Sequence, residues 1–377
     1  TVVSGWVLWL LTRQHRRELL PRDGFLLVNL VWLVLPAYAA APLYFTVPDL
    51  SLSKAYFEAM SALTATGSTA ISGLDHLPVS INVWRCFLQL LGGLGIMLLV
   101  VAILPLLGLG GMQLYKAETP GPMKDTKFTP RISETARGLW GVYALFSVAC
   151  MLAYRWAGMD WADAFMHMCT TMGLGGFSPY DASIGHFDSA RVEWVSVVFM
   201  TMAGISFLRY FVVLRSLSLR PITGDREIRT YLAVLAVSVA VVMVLLLVHG
   251  VTSEPLEALR ASAFHVVSLA TTTGYASGDY AQWPVFIPVL LMFLGCFASC
   301  AGSTGGGIKM VRMVLLVKQA RRELVRIIHP RVVNPVTLGG NVVPPQVMNA
   351  VLGYMLIYGA ATMGLTMLLL LTGLDIV

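Results

Sequence analysis

The 377-residue sequence predicts an all-α membrane protein in which one unit, a membrane helix, a short helix and a second membrane helix, is repeated. Three observations predict this. Hydrophobic residues make up 57% of the chain and charged ones only 12%, with a mean hydropathy of +0.74; an ordinary soluble domain carries about twice that charge. Apolar runs of about 20 residues, the length that crosses a bilayer as helix, recur along the whole chain. The segments joining those runs alternate between basic and acidic. Disorder is excluded by the apolar content, and a disulfide scaffold by only five Cys. The net charge of +6 does not indicate nucleic acid, because the basic residues sit in linkers between apolar runs rather than on a soluble fold.

In order, the expected membrane helices are 24–47, 83–111, 138–157, 192–219, 230–251, 284–301 and 344–372, preceded by a stub at 2–11. The chain opens at Thr1 inside an apolar run without a signal peptide, so the stub is expected to be the end of a further helix. The first linker, 12–23, is basic. So are 112–137, 215–229 and 309–331; together these four hold 20 of the 26 Lys and Arg against eight acids. The intervening segments 48–85, 155–193 and 252–283, with the C-terminal end, hold five basic residues and twelve acids. Arg209 falls late in an apolar run, where its default is to snorkel to the surface. The positive-inside rule then puts the basic segments in the cytoplasm and the acidic ones outside, where they concentrate cations.

The acidic-side segments share one anatomy: a polar start, a short half-apolar helix, a Thr-rich end, then Gly. Aligned on that Gly, they read Glu58-AMSALTAT-Gly67, Ala164-FMHMCTTM-Gly173 and His265-VVSLATTT-Gly274, 106 and 101 residues apart. Such a period is too long for a solenoid and fits a duplicated module. Helices of roughly 10–14 residues are too short to span and fit re-entrant segments, whose irregular backbone is tolerated only in protein or against a watery cavity. Meeting on one axis, they would point helix C-termini and free carbonyls at a cation, and Gly would supply the turn. On this alignment His167 and His265 lie six and nine residues before their Gly, at non-equivalent positions suited to lining or capping.

Several stretches resemble the Trk/Ktr/HKT superfamily of cation transporters, and within it the bacterial Trk membrane subunits: RRELLPRDGFLLVNLVWLVL, AYFEAMSALTATGSTAISGLDHLPVSINVWR, GGMQLYKAETPGPMKD, TTMGLGGFSP, ATTTGYASGDY and CAGSTGGGIKMVR. The resemblance implies membrane–pore–membrane modules arranged pseudo-fourfold around one pore. These would be 24–137, 138–229, 230–343 and, incomplete here, 344–377, after an N-terminal 1–23. It further implies a homodimer, a cytosolic nucleotide-binding regulatory ring of the RCK type, a bacterial inner-membrane location and K⁺ as the transported ion, with no organic cofactor. Its filter positions fall on Ala65, Thr66 and Gly67, on Thr171, Met172 and Gly173, and on Thr272, Thr273 and Gly274. In the superfamily Gly at the turn goes with K⁺ and Ser in the first loop with Na⁺, so K⁺ is expected. The end LLLLTGLDIV resembles YRWAGMDWADAF, placing Asp375 where Asp160 stands and the fourth pore loop beyond Val377.

The run Gly302-Ser303-Thr304-Gly305-Gly306-Gly307 cannot be good helix. By resemblance it is an intramembrane gate beneath the filter; the plain structural reading is a packing kink. Lys309 either repels cations near the axis or sits at the interface. This run is not a Walker A motif, because Ile308 separates Gly307 from Lys309 and no strand precedes it. Gly108-Leu-Gly110-Gly111 and Gly173-Leu-Gly175-Gly176 are equally poor dinucleotide motifs. Cys296 and Cys300, four apart on an expected helix, read as core rather than as metal ligands. The basic 309–331 segment meets anionic lipid or docks the regulatory ring. No Ser/His/Asp or paired-carboxylate constellation stands out, so the chain is read as a non-enzyme. The sequence leaves channel and H⁺- or Na⁺-coupled symport open, with an intramembrane hydrolase using Ser303 or His265 as a remote rival.

Overall fold

A computed structural model of the chain describes residues 2–13, 21–103, 132–339 and 341–373. The GGMQLYKAETPGPMKD stretch, the Gly108–Gly111 run and Asp375 lie outside the described residues.

The described residues are mostly helical. In order they form α1 (Val2–Thr12), α2 (Pro21–Thr46), α3 (Leu52–Leu63), α4 (Val79–Ile103), α5 (Ile132–Ala157), α6 (Trp161–Gly173), α7 (Ala190–Ala203), α8 (Phe207–Ser216), the single turn α9 (Arg220–Thr223), α10 (Arg226–Val248), α11 (Pro255–Ala270), α12 (Phe286–Gly295), α13 (Met310–Ile328) and α14 (Pro345–Leu370). A two-stranded hairpin, β1 (Thr337–Leu338) with β2 (Asn341–Val342), precedes α14. Four helices are long and apolar enough to cross a membrane among the described residues, and the α7–α8 pair passes the same test as a span bent by 86°. That bend, at Gly204–Ser206, is absent from the sequence expectation of one helix over 192–219.

Within α2, Pro36 and Pro42 disturb the helical ladder. The carbonyls three residues before them are taken by neighbours: Tyr56 Oη donates to Leu33 O (3.0 Å) and Trp84 Nε1 to Ala39 O (3.0 Å).

The short helices are capped as their sequences direct. Ser51 accepts from Lys54 N and Asp160 from Asp163 N, while Pro255 opens α11 at the position that needs no N–H. At 16 residues α11 is longer than expected. Each short helix packs between its flanking long ones: α3 on α2 and α4, α6 on α5 and α7, α11 on α10 and α12. In addition α6 packs on α4, and α11 on α7. Each later short helix therefore leans on the outgoing helix of the unit before it.

Candidate ion-conduction site

The three short helices end in the same backbone path. After α3, Ala65 takes a left-handed conformation (φ 51°), Ala65 N donates to Ala62 O and Thr66 N to Ser61 O, and Gly67 follows at φ 81°. After α11, Thr272 (φ 64°) donates to Leu269 O, Thr273 to Ser268 O, and Gly274 follows at φ 85°. After α6, Leu174 (φ 51°) donates to Thr171 O, Gly175 to Thr170 O, and Gly176 follows at φ 74°. These are Schellman endings, each with a glycine one residue beyond. Ala, Leu and Thr in left-handed backbone cost on the order of 1 kcal/mol each, strain of the kind that clusters at functional sites.

The register in the second loop therefore differs from the sequence alignment. Gly176, not Gly173, matches Gly67 and Gly274, and Leu174 and Gly175 stand where Thr171 and Met172 were expected. Thr171, Met172 and Gly173 are the last, fully buried turn of α6. The physical reason is that α6 runs three residues further before it caps, so the first Gly of the GLGG run is consumed as helix. Two signals mark the true register. Gly176-Phe177 mirrors Gly274-Tyr275, and on this register Glu58, His167 and His265 all lie nine residues before their Gly. The two histidines are thus equivalent.

The loops meet. A Cβ on Gly67 would lie 2.0 Å from Gly175 O, and one on Gly176 would lie 1.9 Å from Thr273 O. Loop one thus nests on loop two as loop two nests on loop three, with glycine required at both contacts. The residue after each later glycine reaches back. Phe177 lies under the Arg85 guanidinium of α4 at 4.5 Å. Tyr275 Oη bonds the Thr170 hydroxyl, Thr171 Oγ1 (3.1 Å) and His167 O (3.2 Å) on α6.

Buried polar side chains brace the loops. Glu58 accepts from Thr69 Oγ1 (2.9 Å), Ala70 N (2.9 Å) and Arg85 Nε (2.8 Å), and pairs with Arg85 Nη2 at 2.7 Å, both side chains being fully buried. Arg85 also donates to Asn82 Oδ1 and Ser178 O, joining the first two loops. His167 bonds Ser178 Oγ through Nε2 (3.2 Å) and Asp163 O through Nδ1 (2.9 Å). Its equivalent His265 bonds Ala261 O and packs edge-on against Trp283. Gln89, which the sequence reading missed, donates to Gly175 O (2.8 Å) and accepts from Phe177 N (3.2 Å). Farther along the second loop, Tyr180 Oη donates to the Asp163 carboxylate (3.0 and 3.2 Å), and burial, aided by that carboxylate, pushes the phenol up to about 12.

The Gly-rich run lies directly against these loops. α12 stops at Gly295, seven residues before Gly302, and helix resumes only at Met310. Cys296 and Cys300 therefore do not share one helical face. Thr304 Oγ1 donates to Met172 O (3.0 Å) and Gly306 N to Thr272 Oγ1 (2.8 Å). Ser303 Oγ donates to Cys300 O (2.7 Å), and Ser299 Oγ to Gly306 O (2.8 Å). Gly302 and Gly307 are left-handed at φ 76° and 78°. Lys309 Nζ donates to Gly305 O, folding its charge back onto the run. Arg209, largely buried, reaches from α8 to Asp225 Oδ2 at 2.5 Å, in the basic 215–229 linker.

A family model described as a cation transport protein, TrkH, matches residues 1–373. The chain is 44% identical to the Trk system potassium uptake protein TrkH of Vibrio parahaemolyticus over 374 residues, 98% of this chain and 77% of that one. It is likewise 44% identical to the Escherichia coli K12 protein of the same name over 372 residues, with the same shares covered. The crystal structure of the potassium transporter TrkH from Vibrio parahaemolyticus superposes with a TM-score of 0.90 at 40% identity, covering 99% of this chain and 77% of that one. With a family match over nearly its whole length and relatives well above 30% identity, the chain belongs to the TrkH cation-transport family of multi-pass membrane proteins.

Proposed function

We propose that the chain is a K⁺-selective permeation subunit of an uptake system. Carbonyls of Ala65–Gly67, 174–176 and Thr272–Gly274 replace the water around a bare cation, and the run 302–307 is the gate beneath them. The observation that carries this reading is the repeated nesting of Gly67 on Gly175 and Gly176 on Thr273. The same contact made between successive loops is what rotation about a shared axis produces. The back-packing of Phe177 and Tyr275, and of α6 on α4 and α11 on α7, repeats the same step. That repeated step supports modules arranged pseudo-fourfold around a pore. The choice of K⁺ is supported by glycine at every equivalent turn position and by the names of the relatives.

The proposal extends to the surroundings. The linkers rich in Lys and Arg face the cytoplasm of a bacterial inner membrane and the loops face outside. The protein works as a homodimer on a nucleotide-binding ring, for which Arg321 and Arg326, exposed on α13, offer a basic docking face. The test is paired ⁸⁶Rb⁺ and ²²Na⁺ uptake into liposomes holding the full-length protein. Rb⁺ uptake far exceeding Na⁺ uptake supports the reading; equal uptake of both, or none, overturns it.

A further inference from the structure

One carboxylate holds both feet of the Gly-rich run. Glu227 lies at the start of α10 and is buried. Its Oε1 accepts from Ala301 N (2.7 Å) and from Val311 N (3.2 Å). Between those two donors lies the whole run from Gly302 to Met310. A plain cap for α13 would take N–H groups of α13 alone, since only those are left without helical partners. Glu227 also takes an N–H from the far side of the run, and so closes the run into an arch. A buried carboxylate is costly to desolvate, and these bonds to charge offset that cost.

The clasp is itself held from the preceding unit. Asp225 Oδ1 accepts from Glu227 N (2.7 Å), and Asp225 Oδ2 pairs with Arg209 of α8. The two broken helices also bond each other: Cys300 N donates to Gly204 O (3.0 Å) and Phe207 N to Gly302 O (3.1 Å). The bend at Gly204–Ser206 and the Gly-rich run thus form one hydrogen-bonded body, and Val311 N–H bonds α13 to α10.

We infer that Glu227 is a positioning residue, a clasp that keeps the arch shut, and that opening gives up its bond to Val311 N as α13 moves away from α10. This rests on reading 302–307 as the gate. The test uses full-length protein in liposomes without any partner, reading Vmax, KM and the Rb⁺/Na⁺ ratio of basal uptake. Val311→Pro removes the donor and also replaces a side chain of the buried apolar cluster that holds Ala301 and Leu315, so its melting temperature is read beside the flux. Val311 sits in the first turn of α13, where proline costs no helical bond. Val311→Pro and Glu227→Ala are expected to raise Vmax about tenfold, the scale of losing hydrogen bonds to a buried charge, with KM and the ion ratio unchanged. Glu227→Gln keeps an oxygen that accepts from both donors, and is expected to restore most of the closure lost in Glu227→Ala.

Val311→Pro with an unchanged melting temperature and wild-type Vmax overturns the clasp, as does Glu227→Gln leaking as much as Glu227→Ala. Deleting 303–306 separates the two readings. A leaky deletion beside a tight Val311→Pro removes the clasp alone, whereas a deletion that fails to leak removes the gate and the clasp with it.

Discussion

Gly176→Ala adds one methyl at a backbone angle of φ 74°, where its Cβ would stand 1.9 Å from Thr273 O. Ordinary contact begins near 3.4 Å, so the Thr273 carbonyl, or the second loop itself, must retreat by about 1.5 Å. Left-handed backbone costs a non-glycine residue a further 1–2 kcal/mol or so. If that carbonyl coordinates the ion as proposed, a displacement of more than half the length of a hydrogen bond removes it from the coordination shell. Since about 1.4 kcal/mol is a factor of ten, the K⁺/Na⁺ discrimination of the variant should fall at least about tenfold. Paired ⁸⁶Rb⁺ and ²²Na⁺ uptake reads this directly. Gly173→Ala is the comparison. Gly173 is the last residue of α6, and its added methyl would meet Gln89 O of α4 at 2.7 Å. That variant should melt earlier while the folded fraction keeps its selectivity. If instead Gly173→Ala lost discrimination and Gly176→Ala kept it, the loop register argued from the Schellman endings would be refuted.

Other expectations follow from the same contacts. Arg85→Ala leaves the Glu58 carboxylate buried without its counter-charge, held only by Thr69 and Ala70 N, and should cost about 3–5 kcal/mol of stability, measured by thermal unfolding in detergent; a loss under about 1 kcal/mol would contradict the brace. Arg85→Lys should recover only part of it, because an ammonium cannot reach Glu58, Asn82 and Ser178 together. Deleting 303–306 should raise basal Rb⁺ flux if the run blocks the pore, and lower or unaltered flux in a folded protein rejects that. Photocrosslinkers at Arg321 and Arg326 should capture a soluble nucleotide-binding protein; labelling of lipid alone would leave α13 as a membrane-surface helix.

The apolar runs and the short polar helices between them were legible because bilayer thickness and helix rise leave few alternatives. Where the reading missed, several near-equal local signals competed and tertiary contact chose between them. Gly173, Gly175 and Gly176 each offered a turn in the second loop, and Thr170 beside Thr171 imitated the Thr that precedes Gly67 and Gly274. Only the helix length set by packing against α4 selected Gly176. The bend at Gly204 was hidden because Gly-Ile-Ser inside an apolar run is compatible with straight membrane helix. The break near Gly302 was visible from its clustered glycines, yet its true start at Cys296 was not. Nothing in the composition of Cys-Phe-Ala-Ser forbids helix; the backbone there departs because Cys300 N and Ile308 N find partners at Gly204 O and Cys296 O. Glu227 and Gln89 went unnoticed because their roles lie in long-range bonds to backbone, which leave no local pattern.

The three equivalent residues Glu58, His167 and His265 differ in chemistry. Behind the first loop stands a fixed ion pair, and behind the second an imidazole bonded to a hydroxyl. Behind the third, the residue matching Thr69 and Ser178 is Ala276, which has no hydroxyl to give. The third loop, which the Gly-rich run meets at Thr272, therefore lacks the hydroxyl that braces the polar strut behind each of the other two.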